Sequence, residues 1–125
     1  MPFPCEFAVR SLVPALRALV ARELSTSYNL KQDDIASLLG ITQSAVSQYL
    51  RHVRGRAVNI EEINEIHDIT QTLAMGLANN NLSQRHITQQ YCRACQIIRA
   101  KRLLCQVHQR LDPTFNTDTC DACIP

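Results

Sequence analysis

The sequence predicts an all-α fold class: a small helical bundle followed by a helical, cysteine-rich C-terminal segment. Three observations lead there. Apolar residues recur at three- and four-residue spacing along most of the chain, and the two-residue alternation of strands is absent. Glycine occurs only three times, so little of the chain is set aside for unusual backbone. Capping and breaking residues stand where one helical pattern stops and the next begins.

Val9, Leu12, Val13, Leu16, Val20 and Leu24 mark an amphipathic first helix. Pro14 either kinks it or sits in its first turn, with Ser11 as the N-cap. A second helix is predicted over about Gln32 to Leu39, with Asp33 and Asp34 near its positive end and Gly40 ending it. Thr42 caps a third helix that runs to about Val53, and "RGRAVN" reads as a loop. Asn59 with Glu62 resembles a capping box at the start of a fourth helix. On it, Ile63, Ile66, Thr70, Leu73 and Leu77 form a short coiled-coil-like seam, a candidate dimer interface that could instead pack on the first helix. "NNN" at 79–81 breaks that helix, and Ser83 caps a fifth, through about Ile98. A sixth covers about Arg102 to Arg110 and stops at Asp112-Pro113. The tail "TFNTDTCDACIP" has no periodicity. The predicted organisation is residues 1–58 as a DNA-binding unit, 59–81 as a linker or dimerisation helix, and 82–125 as a metal- or cluster-binding segment.

Among 125 residues, 46% are hydrophobic and 19% charged, which suits a soluble globular protein. With no Trp, three Phe and three Tyr, the core must come from Leu, Ile, Val and Ala. It is small enough that a metal or a partner subunit would help it. No run approaches the ~18 apolar residues of a membrane span. "MPFPCEFAVR" lacks the basic start and apolar centre of a signal peptide, which predicts a cytoplasmic protein. Its six cysteines are then expected to be reduced, so metal binding or redox chemistry is a better reading than structural disulfides.

The net charge of +2 is unevenly spread. No acid occurs between Ile35 and Ile60, where Arg51, Arg54 and Arg56 lie. None occurs between Ile69 and Leu111, against Arg85, Arg93, Arg99, Lys101, Arg102 and Arg110. Glu61, Glu62, Glu65 and Asp68 separate the two stretches. Anionic partners are one expectation and ordinary solvated helix faces the other.

"QDDIASLLGITQSAVSQYLRHVRG" (32–55) is the most specific stretch. Two short helices would meet across Gly40, which permits a sharp turn. Ile35, Ala36, Leu39 and Ile41 would pack on Val46, Tyr49, Leu50 and Val53. At ~100° per residue, Ser44, Gln48 and Arg51 fall opposite Val46, flanked by Gln43 and Ser47. Gln suits adenine, Arg suits guanine and Ser is permissive. Lys31, Gln32, Thr42 and the cluster Arg51, Arg54 and Arg56 suit phosphates.

This segment resembles the lambda-repressor-like helix-turn-helix, whose pattern Q-x-x-[IV]-A-x-x-L-G-[IV]-[ST]-x-x-x-[VI]-S-x-[YW]-L it follows at nearly every position. Lys31 stands where such domains usually carry Ser or Thr. Together with "PCE" near the start and the tail pattern C-x-x-C…L-C-x-x-H…C-x-x-C, nearly the whole chain is similar to a family of predicted transcriptional regulators, mostly archaeal. The resemblance implies a double-stranded DNA operator as partner. Some relatives carry a fused thiamine-phosphate synthase-like domain, which this chain does not contain, so it implies no enzymatic role.

Cys92 and Cys95 share a helix face at i, i+3, as do Cys105 and His108, and Cys120 and Cys123 form a second C-x-x-C. This predicts metal coordination by Cys92, Cys95, Cys105, Cys120 and Cys123, with the metal tying the tail to the helices. An iron–sulfur cluster, of the 4Fe-4S type, is preferred because an anionic tetrathiolate cluster suits the acid-free basic stretch; zinc and a metal-free thiol switch are the alternatives. Cys5 and His108 remain open as further ligands. The expected function is a homodimeric, sequence-specific transcriptional regulator whose DNA binding is controlled by the cluster. A regulator with structural zinc, or a cluster-bearing electron carrier or enzyme, is the alternative. No Ser/His/Asp or paired-carboxylate constellation supports an enzyme.

Overall fold

Pro14 divides the N-terminal helical pattern in two. Its ring would collide with the carbonyl four residues earlier, and it has no N–H to give. The computed structural model, which describes residues 4–52, 54–55 and 60–111, accordingly breaks the helix at Ser11. Helix α1 spans Pro4–Arg10 and α2 spans Leu12–Thr26. Pro14 thus lies in the first turn of α2, where its missing donor is not needed. Ser11 occupies the N-cap position but makes no side-chain cap bond. Because the chain turns there, Val9 leaves the apolar face and is 64% exposed, unlike the other residues of the predicted stripe.

Five more helices follow: α3 (Gln32–Leu39), α4 (Gln43–Leu50), α5 (Asn64–Ala78), α6 (Gln84–Ala100) and α7 (Cys105–Leu111). No strand occurs among the described residues, so the chain is all-α. Helix α2 is the central element, in contact with α1, α3, α4, α5 and α6. Leu16, Ala18, Val20, Ala21 and Leu24 on it are fully buried. Alanines at 15, 18 and 21 let neighbouring backbones come close on sides that larger residues would hold apart.

The α3 and α4 boundaries follow their local signals. Thr42 Oγ1 accepts from the Ala45 N–H at 3.1 Å and caps α4. Gly40 ends α3 with φ 66°, while the Ile41 N–H reaches back to the Ala36 carbonyl at 3.0 Å. A Cβ at Gly40 would meet nothing within 4 Å, so its requirement is purely one of backbone conformation. Gly40→Ala should therefore lower unfolding free energy by about 1–2 kcal/mol without altering packing, measurable by urea titration. Helix α4 is shorter than expected: Arg51 is its C-cap, and His52 at φ 59° turns the chain away before Val53.

Helix α5 begins later than the capping-box pattern suggests. Asn59 lies outside the described residues. Residues 60–62 turn instead, Ile60 is buried in the core, and Glu61 pairs with Arg22 of α2 at 2.7 Å. Ile63 is the N-cap residue. Asn80 (φ 53°) ends α5, the Asn81 N–H bonding the Gly76 carbonyl at 3.0 Å. Gly76 itself is required by packing, because a Cβ there would sit 2.1 Å from Leu82 Cγ. Ser83 caps α6, accepting from the His86 N–H at 3.2 Å.

The seam on α5 takes the second of its two expected roles and packs inside the bundle. Ile66 and Leu73 are fully buried within one chain, Thr70 and Leu77 nearly so, and Ile63 is half-buried against the same core. Thr70 is accommodated by donating its hydroxyl to the Ile66 carbonyl at 2.8 Å. Helix α5 packs chiefly on α2 and next on α6. The seam reads the same in sequence whichever helix covers it, and α2 is nearer than any partner.

Candidate nucleic-acid interface and cysteine site

Helix α4 is held with its polar side outward. Ala45, Val46 and Tyr49 are buried against α2 and α3, and Leu50 is half-buried. Gln43, Ser44 and Arg51 are exposed, and Ser47 and Gln48 are half-buried beside them. Arg51 Nε donates to the Ser47 carbonyl at 3.4 Å, which leaves its terminal nitrogens available for a two-point contact. The guanidinium of exposed Arg54 lies 5.4 Å from the centroid of the Tyr49 ring, a cation–π contact that holds this cation beside the end of α4. Lys31 is exposed at the N-cap of α3, and Gln32 is half-buried at its first position. Thr42 is exposed; its oxygen is occupied by the cap bond, but its proton can still be donated. Asp33 and Asp34 are also exposed in the first turn of α3, so Lys31, Gln32 and Thr42 would have to meet phosphates beside two carboxylates. Arg56 lies outside the described residues.

The second acid-free stretch is less isolated in space than in sequence. Glu61 pairs with Arg22, and Glu65 stands 3.9 Å from Lys101 at the end of α6. Both pairs are substantially exposed at their acidic partner, so each contributes at most about 1 kcal/mol. The Glu65 carboxylate offsets part of the positive charge at the end of α6.

Cys92 and Cys95 stand one turn apart on the regular helix α6, and Cys105 opens α7. None of the three is in a disulfide. Cys92 is exposed, whereas Cys95 and Cys105 are half-buried, with Cys95 packed on the core. Cβ atoms at i, i+3 are close enough for both sulfurs to reach one metal ion. This donor pair fits half of a tetrathiolate site. Among the described residues, no three His, Cys, Asp or Glu side chains gather to hold a metal. Cys120 and Cys123 lie outside the described residues, as does the side chain of Cys5. The backbone of Cys5 is on α1, which packs against α7 and hence near the helix of Cys105.

Two residues that sequence patterning passed over stand out. Arg17 is half-buried on α2 and lines a cleft together with Tyr91 of α6. Burial pushes the Tyr91 hydroxyl above its ordinary pKa, opposed by the charge and hydrogen bond of Arg17. Tyr91 is also close enough to Tyr49 of α4 for the two hydroxyls to interact electrostatically. A lone arginine within the apolar run "VPALRALVA" was the available signal.

Comparison with family models, curated proteins and solved structures finds no match to this chain. No helix among the described residues is long and apolar enough to cross a membrane.

Proposed function

We propose that this protein is a sequence-specific, DNA-binding transcriptional regulator, with α3 and α4 as a lambda-repressor-like helix-turn-helix and α4 as the recognition helix. The observation that carries the reading is the two-sided character of α4. Its apolar side is sealed by Val46 and Tyr49, and its open side offers Gln43, Ser44, Gln48 and Arg51 with no acid from Ile35 to Ile60. Gln48 and Arg51 read base edges, and Lys31, Gln32, Thr42, Arg54 and Arg56 contact phosphates. An eight-residue helix covers few base pairs, so two copies on a two-fold operator supply specificity. The dimer contact then lies away from the buried α5 seam. Selection of duplexes from a random pool tests this. Enrichment of a two-fold symmetric sequence supports it, and retention of unselected DNA alone overturns it. Light scattering at micromolar concentration, with and without the selected duplex, checks the dimer.

The cysteines support control of DNA binding by an iron–sulfur cluster, with Cys92 and Cys95 as two of its ligands and Cys105, Cys120 and Cys123 supplying the rest. Such a cluster would supply a group that oxygen, iron supply or oxidants can alter. The protein would then act in the reducing cytoplasm, where these thiols persist. Structural zinc on the same pair is the second reading, since Cys92 and Cys95 suit either metal. The anaerobic absorption spectrum and metal content separate them: a brown protein contains iron, a colourless one zinc or none. Operator affinity should differ among the anaerobic metal-loaded protein, its oxidised form and a Cys92→Ala/Cys95→Ala variant at fixed salt. Equal affinities in three folded proteins would leave the metal purely structural.

A further inference from the structure

A cleft of about 550 Å³ opens between α2, α3 and α6, within the size range of small-ligand sites. Val13, Leu38, Leu39, Leu77 and Ile87 give it apolar walls. Gly40, which joins α3 to α4, and Cys92 also line it. Among the described residues that line it, Arg17 is the one charged side chain, and none is Asp or Glu. No described carboxylate forms an ion pair with Arg17.

The polar groups here form a small and specific set. Arg17 brings five N–H donors to the cleft. Tyr91 lines the same cleft, its hydroxyl has a proton to give, and burial pushes its pKa above the ordinary value. Thr88 spends its proton on the Gln84 carbonyl at 2.9 Å. The result is one positive charge, the hydroxyls of Tyr91 and Ser37 and the Gln84 amide, set beside apolar walls. A carboxylate matches that set with two oxygens and one charge. A phosphate dianion would leave one charge uncompensated, and a neutral ligand would leave the guanidinium unpaired.

The geometry points to a binding site for a small organic monocarboxylate in this cleft, its head group on Arg17 and Tyr91 and its apolar body between Leu38, Leu39 and Ile87. The occupant bridges α6, which carries Cys92, and the end of α3 at Gly40. It therefore acts as a brace between the cysteine-bearing helix and the α3–α4 unit. Its effect on DNA rests on the regulator reading; binding of the acid does not.

Binding is measured without DNA, by protein-observed NMR titration of the full chain. The probes are hexanoate, octanoate, phenylacetate and phenylbutyrate, each against its matched alcohol and octanoate also against octyl phosphate. At least one acid should bind about tenfold or more tightly than its alcohol and than the phosphate ester, a difference typical of one charge-assisted contact. Arg17→Met should abolish the preference for acid over alcohol, Arg17→Lys should keep part of it, and Tyr91→Phe should reduce it. An acid that binds no better than its alcohol, a preference that survives Arg17→Met, tighter binding of octyl phosphate, or no binding of any probe overturns the site. Should Arg17→Met fail to fold, Arg17→Lys and Tyr91→Phe decide: a reduced preference in both supports the site, and an unchanged preference in both overturns it. A protein that binds acids but selects no duplex would overturn the regulator reading and leave the site standing.

Discussion

Replacing Leu73 by alanine is expected to lower the unfolding free energy by about 2–5 kcal/mol, independently of protein concentration. Leu73 is fully buried in a core shared by α2, α5 and α6. Removing its side chain loses the transfer free energy of three carbons and leaves a cavity that rigid helices refill only in part. Domains of this size have about 5–15 kcal/mol in total, so the loss is a large share. The concentration dependence is the sharper measurement. Were the α5 seam an interface between copies, dilution would lower the melting temperature of the wild type and Leu73→Ala would abolish that dependence. Met75, two residues on and 53% exposed, supplies the control: Met75→Ala should stay within about 0.5 kcal/mol.

Gln48→Ala and Arg51→Ala are each expected to weaken binding to a selected duplex by about 1–3 kcal/mol while leaving random DNA nearly unaffected. The difference arises because a lost base-edge contact matters only where the matching base is present. Arg51 is exposed, and its contact with the Ser47 carbonyl already sets the direction of its guanidinium. Gln48 is half-buried, so its variant must first be shown to melt like the parent. Arg56→Ala serves as the contrast: it should weaken selected and random DNA alike and reduce the slope of log affinity against log salt by about one unit. An equal loss on both DNAs for Gln48→Ala would show that α4 does not read bases.

The boundaries of α3 were legible to the residue, because Lys31-Gln32 begins the periodic run and Gly40 ends it with a backbone that other residues adopt at a cost. The same holds at Ser83 and Thr42, where one hydroxyl satisfies one orphan donor a few residues away. These signals act over three or four residues, so a one-dimensional reading contains them whole. The start of α5 was misplaced because its determinant is not local: Ile60 is drawn into the core, and Glu61 toward Arg22, thirty-nine residues back. The pairing of Glu65 with Lys101 escaped for the same reason.

The candidate recognition face was legible because helical periodicity alone separates Val46 and Tyr49 from Ser44 and Arg51. The cysteine pairs were legible as spacing, but spacing does not say how exposed each thiol is. The fold makes Cys92 open to solvent and packs Cys95 on the core. By itself, then, the sequence determined the helical class, most helix ends and the polar side of α4, all properties of neighbours along one chain. Only the tertiary structure decided that the α5 seam is internal, that α2 is central, and that Arg17 and Tyr91 face a common cleft. Those outcomes depend on which apolar surfaces meet, and burial has no direction along the chain: any matching face can cover another until the whole bundle has closed.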